Sequence, residues 1–274
     1  MTKEEIEKMD YSSIVGLLNE RNRPSGGIKT VQEVCLNTFL TKESKVLEIG
    51  SNTGFTSVNV KLLSGSKIVG IDINKISIEK AEEYAKNHSV DVDFVLGSAT
   101  SLPFENKEFD MVWASNVTSF IGEKGLAVKE YSRVLKYGGY LVVIPIYYIK
   151  EPPEEIINEV SIAINSKIEV WNKEYWLNLV EKTFENLEEK FELTYSSDYV
   201  YENQEKNIDN YVSTIIKESG LHNFLEQEIT LLKSRYTNFI DLFNKNLKYC
   251  GYSILVFQKR KVKDQVELFI SKKI

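Results

Sequence analysis

"VLEIGSNTGF", residues 46–55, is an apolar run interrupted by one acid, Glu48, and closed by a loop with glycines at 50 and 54. Such a run, ending in a glycine turn, is how a buried strand hands the chain over to a helix. Glycine there permits positive φ and lets backbone approach a ligand closely. Loops that cradle a nucleotide usually carry a third glycine, and here Asn52 stands in the middle place. Asparagine tolerates the left-handed region better than most side chains, so the loop keeps its shape and gains an amide that can hydrogen-bond a ligand. Glu48 lies within the strand, where an acid must find partners or lose its charge. Loop N–H groups or a cationic ligand would satisfy it.

Strand–helix alternation extends outward from this stretch. "KVLEIG" is a strand, 54–63 a helix, "SKIVGIDI" a second strand, and 75–88 a helix with Ile78, Ala81 and Ala85 on one side. "VDFVLGS" and "FDMVWASN" are the third and fourth strands, and "YLVVIPIYY" (140–148) the fifth. The helix "AVKEYSRVLKYGG" before it is expected to end on its glycine pair, at a position needing positive φ. Continuous apolar strands between helices mean a mostly parallel sheet covered on both faces. Upstream, 10–20 reads as a short helix capped by Asp10 or Ser12, "RNRPSGG" (21–27) as a breaker, and 28–40 as a second helix.

After Tyr148 the alternation stops. Two prolines open a helix in which Ile156, Val160, Ile164 and Ile168 recur at steps of four. Helices are expected at 172–187, 203–219 and 224–247, the last amphipathic through Leu225, Ile229, Leu232, Tyr236, Phe239 and Phe243. Strands are expected at 190–202 and 251–260, and the basic tail 259–274 reads as a solvated extra strand.

In a doubly wound sheet ligands bind beyond the carboxyl ends of the strands. Asp72 stands at the tip of the second strand, where a carboxylate suits the two hydroxyls of a ribose. "VLEIGSNTG", "IVGIDI", "LGSATSLPFENKEFDMVWASN" and "EYSRVLKYGGYLVVIP", in this order, resemble the class I S-adenosylmethionine-dependent methyltransferases over residues 45–146. The resemblance implies a Rossmann-like, seven-stranded, mostly parallel sheet with S-adenosylmethionine as cofactor. It implies that Glu48, Gly50, Ser51, Asn52 and Gly54 line the methionine part, that Asp72 holds the ribose, and that Ile73 packs on the adenine. Ser98 occupies the place where the family often has an acid for the adenine amine, so Ser98 and the Ala99 N–H take that role instead. Asn116 falls near the methyl group and the acceptor.

In such enzymes acceptor specificity comes from the N-terminal segment and from insertions after the fifth strand. On this basis Tyr11, Arg23 and Trp171 are candidate substrate contacts, and Tyr147 and Tyr148 join Asn116 as candidate catalytic groups. Arg21 is an alternative to Arg23. The expected organisation is an N-terminal helical segment or lid (1–44), a core (45–150, 188–202 and 249–260) and a helical cap (151–187 and 203–248). The cap helices also offer a face for a homodimer.

The net charge of −6 and pI near 5.3 argue against a general nucleic-acid binder. Cys35 and Cys250 are far apart, and His88 and His222 sit in no recognisable motif, so no metal site is expected. The opening "MTKEEIEKMD" is unlike a secretory leader, and no apolar run reaches the ~18 residues of a membrane span, so a cytoplasmic protein is expected. The reading is a methyltransferase acting on a small-molecule acceptor by in-line displacement, mainly through positioning. Two alternatives are an NAD-type oxidoreductase and a non-catalytic S-adenosylmethionine-binding or interaction module.

Overall fold

The computed structural model describes residues 2–20, 24–183 and 189–261. The chain opens with α1 (Lys3–Lys8), α2 (Tyr11–Leu17) and α3 (Ile28–Leu36). The alternating region follows as β1 (Lys45–Ile49), α4 (Phe55–Ser64), β2 (Lys67–Asp72), α5 (Lys75–Asn87), β3 (Asp93–Leu96) and β4 (Phe109–Ala114). A 3-10 turn (Asn116–Phe120) leads to α6 (Lys124–Val134), β5 (Leu135–Val143) and β6 (Ile146–Tyr148). Then come α7 (Glu154–Ala163), α8 (Lys173–Thr183), β7 (Glu189–Val200), α9 (Ile208–Glu218), α10 (Glu226–Leu247) and β8 (Cys250–Lys261). These elements form two units: Met1–Asn22 with Ile146–Lys173 and Asp198–Ser253, and Arg23–Pro145 with Glu174–Ser197 and Ile254–Ile274. The N-terminal segment expected at 1–44 is therefore divided between them.

The sheet unit carries the strand order β3-β2-β1-β4-β5-β8, with β7 also on β8. β1 to β5 are parallel, and β8 runs antiparallel to β5. The register puts Glu48 beside both Gly70 and Trp113. Alternation then sends Leu47 and Ile49 to the opposite face, where they pack with Val112, Leu141, Leu255, and Val128 and Tyr131 of α6. Each large apolar side chain so buried contributes roughly 1.5–3 kcal/mol. Gly70 is required by close packing, since a Cβ there would lie 2.7 Å from both Phe94 and Ser51.

The helical unit has its own core. Ile6, Ile14 and Leu18 of the N-terminal segment pack with Ile208, Val212, Leu221, Leu232 and Tyr236. Polar contacts clasp both ends of that segment: Arg235 donates to the Met9 carbonyl, and Glu20 accepts the hydroxyls of Tyr211 and Tyr236. The apolar face of α10 is thus largely consumed inside the unit, although Leu225 stays exposed. α1 was not foreseen; Thr2 and Glu5 give it a capping box. Asp10 caps α2 through the Ser13 N–H, as one of the two sequence options had it.

Several boundaries differ from expectation. The glycine pair does not close α6, which stops at Val134; Gly138 and Gly139 sit in an irregular start of β5, where the register jumps from Leu135 to Tyr140. A Cβ on Gly139 would lie 2.8 Å from the Asp110 carbonyl oxygen, so the close pass demands glycine. The fifth strand breaks at Ile144–Pro145, because proline has no N–H for the ladder, and it resumes as β6 on residues 250–252 of β8. α3 ends at Leu36 rather than 40, and α7 at Ala163, leaving Ile164 as its cap and Ile168 outside. Lys259, placed in a solvated tail by the sequence, is buried in β8 with its ammonium on the Ser132 and Leu135 carbonyls and on Glu189. Residues 184–187 of the expected 172–187 helix, and 262–274 of the tail, lie outside the described residues.

Candidate functional site

The carboxyl ends of β1, β2, β3 and β4 gather most of the predicted cofactor residues. After β1 the chain takes φ of 68° at Gly50, 45° at Asn52 and 83° at Gly54. Asn52 thus adopts the left-handed conformation expected of it. A Cβ on Gly50 would lie 2.5 Å from Val117, so glycine is required there by space as well as by φ. Gly54 is the N-cap of α4 and has no side chain to cap it. Glu48 fills that role from the strand: it accepts the Ser57 N–H at 2.8 Å and the Ser57 hydroxyl. Its partner is thus the first turn of the helix, not the loop amides. Burial pushes the Glu48 carboxyl up to about 7, against the lowering effect of its bonds to Ser57; the charge on Asp72 adds to the rise.

The loop is fastened to the tip of β2. Gly50 and Ser51 donate to the Ile71 carbonyl at 2.8 and 3.0 Å. One oxygen of Asp72 accepts the Asn52 N–H at 2.9 Å and the other the Asn74 N–H at 2.9 Å. Each carboxylate oxygen offers two lone pairs, so Asp72 retains acceptor capacity for two further donors. Beside it Ile73 is 78% and Leu96 54% exposed, an unusual expenditure of apolar surface at a strand end. Ser98 and Ala99 follow β3, and Asn116 opens the 3-10 turn after β4, accepting the Ser119 hydroxyl at 2.7 Å.

Three buried hydroxyl oxygens in this region, those of Ser51, Thr53 and Ser115, have no hydrogen-bond partner among the described residues. Buried polar atoms are normally satisfied, so these mark where a polar ligand would complete the structure. Thr53 and Ser115 were missed from the sequence, as was Val117. Their signal was position alone: hydroxyl residues flanking the ends of β1 and β4. Asp72, at the tip of β2 beside the loop, suits a hydroxyl-bearing ligand. A cleft of about 650 Å³ lined by Gly125, Leu126, Lys129, Tyr175, Leu179 and Lys182 shares none of these residues and offers no comparable chemistry.

The remaining candidates fall in the helical unit. Tyr147 is buried, with its hydroxyl 2.9 Å from that of Ser253; Tyr148 donates to Asn246 at 3.0 Å. Trp171 accepts the Tyr148 N–H through its carbonyl, and Tyr11 packs edge-on against Phe239 and Phe243. Arg21 and Arg23 lie outside the described residues. His88 is tied to the Tyr84 carbonyl at 2.8 Å at the end of α5. Among the described residues no group of histidine, cysteine or acidic side chains is arranged to hold a metal, and no helix is long and apolar enough to cross a membrane.

Residues 40–208 match the methyltransferase-domain family. An uncharacterized protein of Haemophilus influenzae is 26% identical over 193 residues, covering 69% of this chain and 75% of its own. The ribosomal protein L11 methyltransferase of Dictyoglomus turgidum is 30% identical over 145 residues, 53% of this chain and 46% of its own, so the chain spans about half of that relative. A S-adenosylmethionine-dependent methyltransferase of Thiobacillus denitrificans, solved with S-adenosyl-L-homocysteine, shares the fold with a TM-score of 0.68 and 15% identity over 92% of this chain and 100% of that one. Together with the strand order and the loop geometry, the match over 40–208 makes this chain a member of the class I S-adenosylmethionine-dependent methyltransferase family.

Proposed function

We propose that the protein transfers the methyl group of S-adenosylmethionine to a small-molecule acceptor. The observation that carries the reading is the left-handed loop at Gly50, Asn52 and Gly54, hydrogen-bonded to Asp72 and flanked by unpartnered hydroxyls. When bound, the cofactor supplies a methyl group made electrophilic by its sulfonium. The chain's residues bind and orient. Asp72 accepts the ribose hydroxyls, and Ile73 and Leu96 flank the base. Gly50 and Gly54 let the backbone come close, and Ser51, Thr53 and Ser115 hydrogen-bond the amino-acid portion. Glu48 holds the start of α4 in place through the Ser57 N–H and hydroxyl.

Asn116, at the start of the turn after β4, orients the acceptor. In-line alignment alone can supply on the order of 7–11 kcal/mol through effective molarity. The acidic balance of the chain favours a small acceptor over nucleic acid. Family membership leaves the NAD-type oxidoreductase without support.

Calorimetry with S-adenosylmethionine, S-adenosylhomocysteine and NAD tests the cofactor. Binding of the first two without the third is expected; binding of NAD alone overturns the proposal. Turnover of methyl-labelled cofactor against a metabolite panel tests the reaction and separates an enzyme from a binding module.

A further inference from the structure

α6 and α8 stand on the same core: Ala127 and Val128 of the first and Val180 of the second are buried in it, and Leu179 packs at its edge. The cleft of about 650 Å³ lies along these two helices. α6 contributes Leu126 and Lys129, one turn apart. α8 contributes Tyr175 and then Asn178, Leu179 and Lys182, at offsets of three, four and seven, so one face of each helix lines the cleft. No carboxylate lines it among the described residues, although the chain carries 40 acidic against 34 basic residues. The ammonium groups of Lys129 and Lys182 and the amide of Asn178 have no hydrogen-bond or ion-pair partner among the described residues. Lys173, at the start of the same helix α8, is by contrast paired with Asp198. Glu130, the neighbour of Lys129, is occupied by the Leu102 N–H and by Arg133. Gly125 leaves the α6 wall open, since a Cβ there would meet no atom within 4 Å.

We propose that this cleft is a second ligand site and that it takes a small organic phosphate with an apolar or aromatic body. Two ammonium groups with no acid beside them give the cleft a positive potential within an acidic protein. A phosphate dianion complements both at once through charge-assisted hydrogen bonds. The Asn178 amide supplies a neutral donor to a further phosphate oxygen. Leu126, which is 43% exposed, Leu179 and the ring of Tyr175 cover the organic body. The volume lies within the range of small-molecule sites. The cleft shares no residue with the loop after β1, so it fills independently of the cofactor.

Calorimetry at low ionic strength should compare phenyl phosphate, inorganic phosphate and phenol on the wild type. Phenyl phosphate is expected to bind at least about tenfold more tightly than either fragment, because burial of the ring and pairing of the charge then act together. Saturating S-adenosylhomocysteine should leave that affinity unchanged. The double variant Lys129→Gln, Lys182→Gln should bind phenyl phosphate about tenfold or more weakly, through loss of hydrogen bonds to a charged group. Gly125→Leu, which puts a side chain into the open space of the wall, should weaken it as well. Inorganic phosphate binding as tightly as phenyl phosphate would reduce the site to a surface charge patch and overturn the proposal. Displacement of phenyl phosphate by S-adenosylhomocysteine, unchanged affinity in the double variant, or no binding of phenyl phosphate at millimolar concentration would do the same. Lys129 and Lys182 are exposed, so melting curves should show the double variant folded; if they do not, the comparison of the three probes on the wild type decides.

Discussion

The carboxylate of Asp72 accepts the backbone N–H of Asn52 at 2.9 Å. This bond joins the tip of β2 to the middle of the loop after β1, twenty residues earlier. One side chain therefore has two tasks. It fixes the left-handed turn at Asn52, and it presents its remaining lone pairs beyond the strand ends.

Replacing Asp72 by alanine should weaken S-adenosylhomocysteine binding by roughly tenfold to a hundredfold, the range expected for loss of a hydrogen bond to a charged group. The melting temperature should fall by a few degrees as well, because the amides of Asn52 and Asn74 lose their acceptor. Calorimetry and thermal melts read the two effects separately. Full affinity in the variant would remove Asp72 from the site.

Asn52 has φ of 45°. Asn52→Gly should bind cofactor within about threefold of wild type, because glycine enters that region without strain. Asn52→Val should lose about tenfold or more, since the left-handed conformation costs an L-residue roughly 1–2 kcal/mol and a β-branched one is worse placed still. Equal binding by Val and Gly would show that the turn does not set the affinity.

Much of this was legible in the sequence because it depended on local pattern. Runs such as "VLEI" (46–49) and "IVGI" (68–71) are continuously buried within their strands, and Asn52 was readable as a glycine substitute from its residue type. What was not legible depended on partners distant in the chain. Glu48 meets Ser57 because a parallel crossover brings α4 over β1, and periodicity does not say which donor will face an acid. The division of the N-terminal helices from α3 follows from Ile6, Ile14 and Leu18 finding Leu232 and Tyr236 more than two hundred residues on. The glycine pair 138–139 was misplaced because positive φ at Gly138 fits a helix end and an irregular strand equally well.

The long helix α10 supplies the next expectation. Leu232 is fully buried against the N-terminal helices, so its truncation should act on folding rather than association. Leu232→Ala should cost roughly 2–5 kcal/mol in denaturant unfolding. Sedimentation should show the same molecular mass for folded variant and wild type. A mass change with unaltered stability would reassign this face to an interface between chains.

Glu48 makes stability depend on pH in a direction opposite to that of a salt-bridged acid. Its carboxyl is pushed up to about 7 by burial, from an ordinary value of 4.5. Between these two values the folded protein keeps a proton that the unfolded chain has released. Stability therefore falls as pH rises through that window and levels off above it. Glu48→Gln keeps the shape and an acceptor for the Ser57 N–H but removes the titration. Its stability relative to wild type should rise between pH 4.5 and 7 and then remain constant, by on the order of 3 kcal/mol in total. Urea unfolding of both proteins at four pH values across this range measures the difference. A difference that does not vary with pH would mean that Glu48 is ionised throughout, held by its helix-capping bonds more strongly than burial opposes them.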